Sequence, residues 1–149
     1  MARPSGLASA ILLAAGIVLV LAGAAAVAVG RFNPGLISSQ LPPEAAVDAP
    51  AVGGAAVALG VATALLGAMH LVTALALRRG SAIAATGGVV LASTMAILSL
   101  GFAVAAVVSI ASNAAPAVYM VPASVGLGAA VIGYAMVTAL IMRAREAPI

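Results

Sequence analysis

The sequence predicts an all-α, polytopic membrane protein. Its expected form is a bundle of four transmembrane helices making one domain over residues 1–149, with N- and C-termini cytoplasmic. Three observations carry this expectation. Of the 149 residues, 65% are hydrophobic and 6% are charged, with a mean hydropathy of +1.31. A soluble domain carries about a quarter charged residues, so this much apolar surface needs lipid rather than water as its solvent. The apolar residues also fall into four runs long enough to cross a bilayer. Finally, five of the six arginines flank the ends of those runs on one side.

The first span covers residues 6–30, following Arg3 and running apolar from Leu7 to Val29. Ala26-Val27-Ala28 resembles the cleavage site of a secretory leader. The run is longer than the roughly 7–15 residues of a leader core, so a retained span is expected. Residues 31–50 form the one long polar connection, expected to be an exposed extracytoplasmic loop. Asn33-Pro34-Gly35 marks a turn, Pro42-Pro43 favours extended backbone, and Glu44 and Asp48 are its acids. Leu36, Ile37 and Leu41 offer a weaker alternative, a segment lying on the membrane surface.

The second span, 51–77, closes on Arg78-Arg79-Gly80. No charge occurs from Gly80 to Met142. As one helix that run would extend roughly 90 Å, about three bilayer cores, so it must fold back. Ser112-Asn113-Ala114-Ala115-Pro116 is the only credible break, which sets a third span at 81–111 and a fourth at 117–142. Pro122 is expected to bend the fourth span near its entry. Arg3, Arg78, Arg79, Arg143 and Arg145 then share one side, the cytoplasmic one by the positive-inside rule.

Lipid supplies little hydrophobic drive for helix association, so close backbone approach must replace it. Six glycine pairs stand seven residues apart: Gly16-Gly23-Gly30, Gly53-Gly60-Gly67, Gly80-Gly87 and Gly126-Gly133. Thr94 and Gly101 continue the third series. A seven-residue stripe keeps one face toward a neighbour in a left-handed crossing near +20°. Gly16, Gly23, Gly53, Gly60, Gly67, Gly87, Gly101, Gly126 and Gly133 are therefore the expected packing positions, with Ala56, Gly60, Ala64 and Ala68 adding small residues on the second span.

The composition also excludes chemistry. Without cysteine there are no disulfides, thiolate metal sites or thiol catalysis. The arginines do not cluster on one solvated face, which argues against nucleic acid as a partner. Small multidrug transporters and the proteolipids of rotary ATPases work through a membrane-embedded carboxylate, and none of the four expected spans contains one. No catalysis and no metal site is expected.

His70, the only histidine, is the one exception expected in an otherwise inert interior. It lies eight residues before Arg78, about 12 Å inside the helix end, while Tyr134 and Thr86 fall at a similar depth. A buried imidazole and a buried phenol each want a hydrogen-bond partner. The expectation is a buried polar cluster of His70, Thr86 and Tyr134 joining spans two, three and four. The alternative makes His70 a cofactor ligand, axial to a haem or chlorophyll packed against glycine grooves. Thr63, Thr73, Ser93, Thr94, Ser99, Ser109 and Thr138 are expected to bond back to their own helix carbonyls rather than line a pore.

The function these features favour is a scaffold or accessory subunit of the cell (plasma or inner) membrane, packing through glycine faces against itself or a larger membrane complex. A pigment-, haem- or lipid-binding module using His70, and a small transporter or channel, are the alternatives. Replacing His70 with Ala and recording the visible spectrum separates the structural role from ligation: no cofactor band is expected to depend on the imidazole, and a band lost in the variant would establish ligation.

Overall fold

The structure, a computed structural model, describes residues 4–39, 48–112 and 117–146. They form five helices and, among the described residues, no strand: α1 (Pro4–Phe32), α2 (Pro34–Ser38), α3 (Ala49–Arg78), α4 (Ala82–Ala111) and α5 (Ala117–Glu146). All but α2 are long and apolar enough to cross a membrane. At 1.5 Å per residue, helices of this length reach about 45 Å, past a hydrocarbon core of about 30 Å, so their arginine-bearing ends extend beyond it.

Local chemistry sets the helix ends. Arg31, Arg78 and the pair Arg143 and Arg145 occupy the last turns of α1, α3 and α5. Cations there oppose the negative end of the helix dipole, which lets the helices run past the apolar limits at Gly30, Leu77 and Met142. Asp48 Oδ1 accepts from Ala51 N at 3.2 Å, capping α3. At the other end of α3, Gly80 adopts φ +75°. Gly80 N donates to Leu77 O at 3.0 Å and Ser81 N to Ala76 O at 3.1 Å, a Schellman ending. Ser81 then caps α4, its hydroxyl accepting from Ala84 N at 3.2 Å. One short turn thus ends one span and starts the next, and Gly80 serves the turn rather than a packing stripe.

The expected loop 31–50 differs from expectation at its start. Pro34, read as part of a turn, is the first residue of α2, where its fixed φ suits a helix and its missing N–H costs nothing. Leu41, Pro42, Pro43 and Glu44, and the Asn113–Pro116 break, lie outside the described residues. Pro122 sits inside α5.

The chain divides into two compact units, Leu13–Val72 and Met1–Leu12 with Thr73–Ile149. In the first, α1 and α3 run antiparallel. A Cβ placed on Gly16 would lie 2.9 Å from Gly67 O, and one on Gly67 2.8 Å from Gly16 O. Gly23 and Gly60 oppose each other at 2.5 and 2.7 Å, and Gly30 and Gly53 at 2.7 and 2.6 Å. Each contact is with backbone, which cannot rotate away as a side chain can. The side of each Cα that bears only hydrogen faces a carbonyl, the arrangement in which Cα–H···O contacts form. Between these pairs Val20, Val27, Ala64 and Leu71 close the seam.

The second unit packs differently. There α4 and α5 lie against each other, antiparallel, with α4 burying the small residues Gly88, Ala92, Ser99 and Ala106 and α5 burying Tyr134, Val137 and Ile141. Gly88 admits Ile141 Cδ1 to 3.0 Å of its virtual Cβ. Among the described residues, a Cβ on Gly87, Gly101, Gly126 or Gly133 would meet nothing within 4 Å. The seven-residue period was present on α4, but its buried stripe runs through Ala92, Ser99 and Ala106. That stripe is five residues from Gly87 and Gly101, roughly 140° around the helix.

Gly60→Ala is expected to destabilise the chain by about 1–3 kcal/mol, because a methyl driven into backbone atoms forces the helices apart. Gly60→Leu should be worse, while Val61→Leu, at a position 47% exposed, should change little. Gly101→Ala should be neutral or stabilise by up to about 1 kcal/mol through helix propensity. Far-UV circular dichroism during denaturation measures the series, and equal responses at Gly60 and Gly101 would contradict the packing described.

Candidate functional site

Polar side chains inside lipid-crossing helices are the groups with chemical potential, and each described unit holds its own set. In the first unit His70 is fully buried, and its Nδ1 lies 2.8 Å from Leu66 O one turn earlier on α3. A carbonyl only accepts, so Nδ1 carries a proton and donates. That bond orients the ring along its own helix. Thr63 Oγ1 likewise donates to Leu59 O at 2.8 Å.

The second unit holds Tyr134 and Thr86. Tyr134 is buried, at 7% exposure. Thr86 is exposed, which corrects its expected place in a buried cluster. Its hydroxyl donates to Ala82 O at 3.4 Å and accepts from the Arg145 guanidinium at 2.9 Å. Distance from a helix end does not give azimuth, and the azimuth leaves Thr86 exposed beside α5.

Two further contacts join helices in this unit. Arg78 Nε donates to Ser9 Oγ at 3.3 Å, and that buried hydroxyl donates to Gly6 O at 2.9 Å. Ser9 is not among the expected site residues; it stands seven residues before Gly16, a spacing that could have drawn attention to it. Between α4 and α5, Ser93 Oγ and Thr138 Oγ1 are 3.5 Å apart. Thr138 spends its proton on Tyr134 O at 3.1 Å, so Ser93 is the donor across the helices, through a long, weak bond.

No buried side-chain nitrogen or oxygen among the described residues lacks a partner. The described residues contain no group of three or more His, Asp or Glu placed to hold a metal ion. The arrangement orients helices and holds arginines at their ends. No family model, curated protein or solved structure matches the chain.

A double-mutant cycle with Ser93→Ala and Thr138→Val should return a coupling of about 0.6 kcal/mol, the scale of interhelical hydrogen bonds in membranes. Unfolding in mixed detergent micelles measures it. A coupling above about 2 kcal/mol would mean that this contact, and not the small-residue stripe of α4, holds the pair.

Proposed function

We propose that this multi-pass membrane protein is a non-catalytic scaffold or accessory subunit of the cell membrane, with both termini cytoplasmic, assembling with other membrane chains or with copies of itself. The observation that carries the reading is the contrast between its two sets of glycines. Gly16, Gly23, Gly30, Gly53, Gly60 and Gly67 are consumed in the contact between α1 and α3. Gly87, Gly101 and Gly126 are exposed, with open space where a side chain would stand.

Glycine in a helix interior costs about 1 kcal/mol relative to alanine, and a lipid-facing position returns none of it. A second helix laid on such a face regains that loss through dispersion and close backbone approach. The hydroxyls support the same reading, since Thr63 and Thr138 donate back to carbonyls of their own helices. Orientation follows the positive-inside rule, applied to Arg78, Arg79, Arg143 and Arg145.

Native mass spectrometry of the full chain in mild detergent tests this function. A homo-oligomer or a co-purifying membrane chain is expected, and Gly101→Leu should disperse it while leaving helix content intact. A fully stable monomer that copurifies with nothing would overturn the proposal.

A further inference from the structure

A cavity of about 250 Å³ lies at the end of the second unit where α3 ends, α4 begins and α5 ends. Leu77, Ile141 and Ala144 supply apolar wall, and Gly80, Ser81 and Arg145 stand at its polar side. The same unit concentrates charge: its described residues carry Arg78, Arg79, Arg143 and Arg145 against one acid, Glu146. Three of these arginines, Arg78, Arg143 and Arg145, offset the C-terminal dipoles of α3 and α5, and Arg78 is tied to Ser9. Arg145 is different, since it both lines the cavity and is held in place by its bond to Thr86 at 2.9 Å.

We propose that this cavity binds the phosphate group of an anionic amphiphile on the Arg145 guanidinium, with the apolar part of the ligand over Leu77, Ile141 and Ala144. A guanidinium is a planar fork that meets two phosphate oxygens at once, and the bond to Thr86 fixes one edge of the fork while leaving the other to a ligand. Ser81 Oγ already occupies Ala84 N–H, so the guanidinium rather than the start of α4 supplies the anion contact. An apolar wall beneath a cationic mouth, at a helix end that reaches the headgroup layer, matches a lipid phosphate better than a free ion. Glu146 opposes the anion, and the surrounding arginines outnumber it.

The test uses the full chain in mild detergent, offered equimolar short-chain phosphatidylglycerol and phosphatidylcholine, with adducts counted by native mass spectrometry. The wild-type chain is expected to retain phosphatidylglycerol about tenfold over phosphatidylcholine, a preference of about 1.4 kcal/mol. Arg145→Gln should abolish the preference. Arg143→Gln, which removes the same charge from a residue that does not line the cavity, should largely keep it. Ala144→Leu fills the cavity with every arginine in place and should also abolish it, so the proposal stays testable if either variant fails to fold. Displacement by millimolar inorganic phosphate would assign the site to phosphate in general, and resistance would assign it to the lipid. Equal losses in Arg143→Gln and Arg145→Gln, or no preference in the wild type, would overturn the proposal.

Discussion

Glycine backbone meeting carbonyl oxygen, three times in succession along α1 and α3, is the contact on which the first unit depends. In water a helix pair is driven together by its apolar faces, but lipid tails solvate leucine as well as another helix does. What remains is dispersion, which fades within an ångström of separation, and weak polar contact between backbones. Both demand that nothing stand between the helices. At Gly23 and Gly60 a single methyl group would lie within 2.7 Å of a carbonyl oxygen, so the absence of a side chain is itself the interaction.

The second unit reaches contact by a different route. Here α4 offers a shallow surface of Gly88, Ala92, Ser99 and Ala106, and α5 fills it with Tyr134, Val137 and Ile141. Small against large keeps packing dense without requiring backbone contact. Glycine is therefore needed at one position on α4, opposite Ile141, while Gly87 and Gly101 stay outside the contact. The arginines at the helix ends complete the arrangement, using Ser9 and Thr86 to hold long side chains where water and headgroups begin.

Much of this was legible in the residues themselves. The four spans follow from apolar run length, and their helical ends from arginine and proline. The α1–α3 seam was legible because Gly16, Gly23 and Gly30 on one run answer Gly53, Gly60 and Gly67 on the next at the same spacing, a coincidence that composition alone rarely produces. The same spacing at Gly87, Gly101, Gly126 and Gly133 gives no such seam, because a Cβ there meets nothing within 4 Å. Asp48 as the cap of α3 is legible in the Asp48-Ala49-Pro50 order, although an acid beside proline fits a loop equally well. Thr86 shows the limit most clearly, since distance along a helix says nothing of azimuth, and its side chain is exposed beside Arg145.

The sequence by itself determined that this chain has four helices long and apolar enough to cross a membrane, and that a period of seven runs through them, because hydrophobicity, charge and spacing act along one axis. Only the tertiary structure decided which stripe turns inward and which arginine meets which hydroxyl. A period repeats along a helix without naming its direction, and direction is set when a second helix arrives and excludes whatever is too large to stand between them.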